Sequence, residues 1–269
     1  MQKNEARLFP ALLRHWRTRR GLSQLDLALS ADVSSRHVSF LETGRAQPSR
    51  EMVLRLAATL SVPLRDQNAL LRAVGLPPEY DEPRVDGGLS PAIDQALTRM
   101  LAQQEPYPLT VLDRRYDVVR TNAAGARLLP LFVAEPGALA AGMNVFRMLF
   151  DRRLARDFVV DWPRVAKALV SRLHREALAH PEDDDLSELL ASLFEYPDVP
   201  TDFRQPDFAT PSEPTLSIRL KRGKLELGFF TTVTTFNAPQ NVTLEELRIE
   251  SYYPLDDATA EACARLARG

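Results

Sequence analysis

Cysteine is almost missing from these 269 residues: Cys263 stands alone. An internal disulfide and a thiolate metal cluster are both excluded. Lysine is scarce, 4 against 30 arginines, so part of any arginine enrichment reflects composition. The four histidines, at 15, 37, 174 and 180, form no pair at i,i+4 and no HExxH, which leaves no zinc-binding pattern. Gly87-Gly88 sits among charged residues and proline, outside the strand–turn–helix context that a phosphate-cradling loop needs. There is no G-x-S-x-G elbow. No apolar run approaches the ~20 residues of a membrane span. The opening MQKNEARLFPALLRHW lacks the apolar segment and cleavage site of a secretory signal. The expectation is a cytoplasmic protein that is not an enzyme, with no metal, no cofactor and no membrane partner.

What is present is a pair of short helices between Ser23 and Gly44, SQLDLALSADVSSRHVSFLETG. Ser23 is placed to N-cap the first, whose face is read as Leu25, Ala28 and Leu29. Asp32 stands where the chain must turn, and Asp is among the few residues that tolerate a left-handed backbone. Ser34 restarts a helix with Val38 and Leu41 facing inward, while Ser35, Arg36, Ser39 and Phe40 face elsewhere. Gly44 ends it. This is a helix-turn-helix whose second helix is built to enter a DNA major groove.

The surroundings agree. One helix precedes the motif, from about Arg7 to Arg20, with Leu8, Leu12, Leu13 and Trp16 as its stripe. Two follow, one capped by Ser49 and one entered at Pro63. Residues 1–80 carry 12 Lys and Arg against 7 Asp and Glu, a net of +5, while the remaining 189 carry 22 against 29, a net of −7. A basic head on an acidic body is expected where one end meets phosphates. Residues 8–80 resemble the Xre/Cro-type helix-turn-helix regulators of bacteria. The run VSSRHVSFLETGRAQPSREMVLRLAATLSVPLRDQNALLRAVGLPPEY resembles the version found in MmyB-like regulators, which carry a C-terminal ligand-binding domain.

The domain reading is 1–80 for the all-α, five-helix, lambda-repressor-like head, 81–90 (DEPRVDGGLS) for a linker, and 91–269 for an α+β second domain. The second domain opens with a helix at Ser90-Pro91. A hairpin is read over Thr110–Leu112 and Tyr116–Val119, then an Asn122-capped helix, then helices across 144–195. His174 and His180 are loosely placed there. The acidic run Glu182 to Asp185 reads as a helix start rather than a cation site. Strands follow at 216–220, 225–236 and 247–253; in the last, Leu247, Ile249 and Ser251 alternate with charged neighbours. A short terminal helix contains Cys263, read as a packed residue or, alternatively, a redox thiol. The stretches VLDRRYDVVRTNAAGARLL and TTVTTFNAPQNVTLEELRIESYYP resemble the PAS-like ligand-binding domain of MmyB-like regulators. That resemblance implies a cavity for a small lipophilic molecule such as a fatty acid.

The DNA-contact candidates are Gln24, Ser34, Ser35, Arg36, His37, Ser39, Phe40, Arg45 and Arg50. Gln24, Arg45 and Arg50 suit phosphates, and Arg36 suits guanine O6 and N7. Phe40 packs on a thymine methyl or on the loop that follows it. Glu42 is expected to organise the motif through an arginine of its own domain. In the second domain Phe146, Phe150, Phe158, Trp162, Phe194 and Phe229 are candidates to line the cavity or to fill the core. The partners expected are double-stranded DNA with a palindromic operator, a small lipophilic ligand, and a second copy of the chain in a homodimer. The alternative is a DNA-bound interaction module whose second domain recruits a protein.

Overall fold

The computed structural model describes residues 8–85, 87–179, 184–205, 216–237, 239 and 241–268. His180, Glu182 and Asp183, and Asp86 of the linker reading, lie outside the described residues. The chain divides into two units, one of residues 1–84 with 236–245, the other of 85–235 with 246–269.

Serines set the helix starts of the first unit. After α1 (Leu8–Arg19) come α2 (Gln24–Ser30), α3 (Ser35–Glu42) and α4 (Arg50–Thr59), then α5 (Leu64–Ala73). Ser23, Ser34 and Ser49 each accept from a backbone N–H three residues on, and Ser23 completes a capping box with Asp26. Asp32 turns the chain at φ 54° and Gly44 ends α3 at φ 71°. Trp16, Leu27, Val38, Leu41, Leu56 and Leu71 are core residues. One expectation fails in α2: Leu25 and Leu29 are 56% and 72% exposed, and Leu27 with Ala28 is buried instead. A seven-residue helix buries one narrow stripe, and the stripe containing Leu27 is selected by its packing partners, α3 and α4.

The segment 236–245 was read as part of the second domain, and it packs with the first unit. It holds most of α11 (Val242–Glu246). Val242 is fully buried, its N–H donates to the Asp81 carbonyl, and the Thr243 hydroxyl donates to that of Pro83.

The second unit begins with α6 (Pro91–Gln103), β1 (Leu109–Leu112), β2 (Val118–Thr121) and α7 (Ala123–Leu128). The helices α8 (Val145–Phe150), α9 (Trp162–Ala179) and α10 (Asp184–Leu193) follow. Then come β3 (Ser217–Arg222), β4 (Leu225–Thr234), β5 (Arg248–Pro254) and α12 (Asp257–Ala267). The strands form one antiparallel sheet in the order β2-β1-β5-β4-β3. This is an α+β fold with β5 at its centre. Tyr116 is a correction to the hairpin reading. It sits in the turn at φ 66°, and its ring is buried rather than paired in a strand. His174 is also buried, its Nε2 3.0 Å from the Phe203 carbonyl.

Candidate DNA-reading surface and ligand cavity

The DNA-reading candidate is the outer face of α3. Val38 and Leu41 anchor the helix at 0% exposure, which leaves Ser35 and Arg36 in solvent and Ser39 and Phe40 half-buried. The Arg36 guanidinium lies 5.2 Å from the centre of the Phe40 ring. The pair is a stacked plate, since a planar cation over an aromatic face is attracted by the ring quadrupole. Ser34 is engaged as the N-cap, accepting from His37 N–H at 3.1 Å. That bond uses the hydroxyl as acceptor and leaves its proton available.

Glu42 holds this surface in place from behind. It is 4% exposed, and its carboxylate accepts from Arg17 Nε at 2.6 Å and Arg17 Nη2 at 2.9 Å. Gln24 Nε2 donates to the same carboxylate at 2.8 Å. Burial pushes the Glu42 carboxyl up, but the bonds from Arg17 and Gln24 and the charges of Arg17 and Arg14 outweigh it and hold it below its ordinary value. One buried anion thus ties α1, α2 and α3 together. The Gln24 amide is thus engaged within the domain, and its backbone N–H stands at the first position of α2.

The arginines divide. Arg17 is bound to Glu42, and Arg20 donates to the carbonyls of Leu60 and Ser61, both at 2.6 Å. These two act inside the domain. Arg45 is exposed beyond α3. Arg50, a candidate phosphate contact, forms an ion pair with Glu79. With both partners more than a third exposed, such a pair is weak enough to open towards a phosphate.

In the second unit a cavity of about 660 Å³, including the space at its mouth, lies against one face of the sheet. The period of two builds that face. Ile218 and Leu220 of β3 stand across from Phe229 and Leu227 of β4, and Thr231 stands across from Tyr252 of β5. The opposite wall comes from α7, α8 and α9 through Leu128, Val145, Met148, Leu149 and Leu169, with Phe132 between α7 and α8. Glu250, 7% exposed, brings the one ionisable carboxyl to the lining. Its Oε2 accepts from the Tyr252 hydroxyl at 3.1 Å.

Comparison with known proteins places both halves. The family model "MmyB-like transcription regulator ligand binding domain" matches residues 93–266. The chain belongs to this MmyB-like family. A second family model, "Helix-turn-helix", matches residues 13–67, which takes in the second half of α1, all of α2 to α4 and the start of α5. No curated protein matches. A solved structure of an RNA-binding light-oxygen-voltage receptor is similar at 17% identity with a TM-score of 0.29. The alignment covers 95% of this chain and 66% of that one.

Within the MmyB-like domain, Phe229 lines the cavity. The other five aromatic candidates do not, because each is engaged in packing. Phe146 meets the Tyr116 ring edge-on at 4.6 Å, and Phe150 meets Trp162 at 5.5 Å. The Trp162 indole donates to the Leu149 carbonyl at 2.7 Å. Phe158 abuts Phe132, a wall residue, and Phe194 lies beside His174. Edge-to-face pairs of this kind stabilise a core beyond their area alone. Glu250 is the residue that sequence reading missed. Alternation in β5 put Ile249 and Ser251 inside and so put Glu250 outside. A central strand, however, is covered on both faces.

Proposed function

We propose that the protein is a transcription regulator that binds a specific duplex sequence through α3 and whose DNA affinity is set by a small lipophilic molecule held in the MmyB-like domain. Both matched families are those of a regulator rather than an enzyme. The observation that carries the reading is the cavity: it lies between sheet and helices and its lining is almost wholly apolar, as is usual for small-ligand sites. A packed core under an exposed apolar patch would have favoured recruitment of a protein instead.

Ser34, Ser35, Arg36, His37, Ser39 and Phe40 read or approach base edges in this proposal, with Gln24, Arg45 and Arg50 on phosphates. Ser34 takes part through the proton its cap bond leaves free. A homodimer on a palindromic operator follows from mechanism, because one head of this size contacts too few base pairs for tight selection. The setting is the bacterial cytoplasm, beside the nucleoid. Among the described residues no helix is long and apolar enough to cross a membrane.

Regulation requires that the ligand bind the DNA-competent and incompetent states unequally. Continuity of the chain supports a route. Residues 236–245 join β4 and β5, which carry five of the cavity-lining residues named above, and this segment groups with the first unit, where Val242, Thr243 and Glu245 bond to Asp81, Pro83 and Leu64. The test is a selection from random duplexes at moderate ionic strength, with native mass spectrometry of the purified chain. Enrichment of a two-fold sequence and a dimer mass carrying a small molecule are expected. No enrichment, or a ligand-free monomer that stays monomeric on DNA, overturns the reading.

A further inference from the structure

The connection between β4 and β5 is longer than a hairpin requires. The two strands pair antiparallel from Phe229 with Pro254 to Thr234 with Ile249, and thirteen residues, 235–247, then join them. Neighbouring antiparallel strands need only about two to five residues to turn. Here the end of the connection is bonded to the first unit. Asn241 caps α11 by accepting from Leu244 N–H at 3.0 Å. From α11 the Val242 N–H donates to the Asp81 carbonyl at 3.0 Å, and the Thr243 hydroxyl donates to the Pro83 carbonyl at 2.6 Å. The Glu245 carboxylate accepts from Leu64 N–H at 2.7 Å.

The other side of this clasp is α5. Asn68, 1% exposed, accepts from the N–H groups of Glu79 and Tyr80 at 2.9 and 3.1 Å and donates to the Tyr80 carbonyl at 2.8 Å. The Tyr80 hydroxyl donates to Gln67 at 3.2 Å. Residues 79–83 are therefore held by α5 from one side and by α11 from the other, and Glu245 closes the ring on the first residue of α5. In turn α5 packs on α1, and Arg20, just past α1, donates to the carbonyls of Leu60 and Ser61 ahead of α5. The same α1 carries Arg17, the partner of Glu42 behind the reading helix. A continuous series of bonds and packed helices thus runs from the clasp to α3.

The connection also has a sensing end. It runs without interruption into the strands that carry Leu227, Phe229, Thr231, Glu250 and Tyr252 of the cavity lining, so a change in the spacing or twist of that pair acts on it from both ends. Its bond to α5 lies at a helix terminus, where local opening costs least.

Resting on the reading of the cavity as a ligand site that sets DNA affinity, we propose that this connection is the coupling element, with Thr243 and Glu245 as the residues that transmit cavity occupancy to the helix-turn-helix. Its two arrangements are a closed clasp, with α5 capped by Glu245, and an open one, with Leu64 N–H released. Occupancy of the cavity biases one against the other, and α5 passes the difference to α1 and so to Arg17 and Glu42.

The experiment uses the full-length chain, the duplex enriched in the selection above, and decanoate as the probe, below its aggregation concentration near pH 7.5. Decanoate is expected to change the affinity of the wild type for that duplex at least fivefold. In the double variant Thr243→Val, Glu245→Ala the change is expected to fall below twofold, while calorimetry finds decanoate itself bound within twofold of the wild-type affinity. A merely structural role would weaken duplex binding equally with and without decanoate and leave the ratio intact. A variant that keeps the fivefold ratio overturns the proposal and leaves the regulatory reading standing. A variant that no longer binds decanoate makes the connection a support of the cavity and also overturns the proposal alone. Decanoate that fails to bind the wild type, or binds without effect on the duplex, overturns both. If the variant does not fold, hydrogen exchange of the wild type decides. Decanoate is expected to change exchange at the Leu64 and Val242 amides at least threefold more than in α2, and an equal change, or none, overturns the proposal.

Discussion

The backbone N–H of Leu64 donates to the Glu245 carboxylate at 2.7 Å, across 181 positions of sequence. Leu64 begins α5, and the residue before it, Pro63, has no side chain able to cap a helix. Glu245 supplies the missing acceptor, and a carboxylate at a helix start also complements the positive end of the dipole. Both residues belong to the first unit, so the cap is a tertiary one within a single body.

Glu245→Ala should therefore loosen α5. The expected cost is about 1 kcal/mol, the usual value of a lost cap. It should be seen as faster amide exchange in α5 with α2 and α3 little changed. Equal acceleration throughout the unit, or none, would show that the bond does not act as a cap.

The Arg17–Glu42 pair predicts a larger effect. Glu42→Ala leaves Arg17 without its buried partner and should destabilise the head by about 3 kcal/mol or more, measured by denaturant unfolding. The wild-type pair also has a pH signature. Its carboxyl is held below the ordinary value, so its stabilisation is present above the unfolded value of ~4.3 and is lost as pH falls through the folded one. Acid unfolding of the wild type should steepen on the acid side of about pH 4. Glu42→Gln should flatten that limb, and an unflattened limb would place the linkage on another group.

Arg36→Ala should cost about 1–3 kcal/mol of affinity for the selected duplex and relax preference at one base pair. Phe40→Ala removes the plate that the guanidinium stacks on and should weaken the same position by less. Competition binding against single-base variants of the operator measures both. A uniform loss on every sequence would make Arg36 a phosphate contact.

Cys263 should be inert. It is 1% exposed in α12, and burial pushes its thiol up to about 11, where little thiolate exists at neutral pH. The native protein should resist a thiol-exchange reagent at pH 7.5 and react fully once unfolded. Rapid native labelling would restore the redox reading.

How much of this was legible before folding depends on the range of the signal. Caps and turns act over three or four residues, so Ser23, Ser34, Ser49, Asp32 and Gly44 announced the helix-turn-helix, and Val38 with Leu41 gave the orientation of α3. Helical spacing alone misread Leu25 and Leu29, because a seven-residue helix offers two plausible stripes and only its neighbours select one. The aromatic count pointed at the right domain, but of its six candidates Phe229 alone is in the cavity lining. Rings pair with one another wherever they can, and leave the cavity surface to aliphatic side chains with Phe132 and Phe229 among them.

Sequence by itself determined the two-part architecture, the motif and the outward face of its second helix, since each rests on local hydrogen bonding and hydrophobic period. Tertiary structure alone decided which arginine Glu42 would be buried against, that 236–245 would group with the first unit, and that Glu250 would face a cavity. Those are properties of segments meeting from far apart in the chain. Which face of a central strand meets a void, and which distant carboxylate meets a bare helix end, are settled only when the layers close.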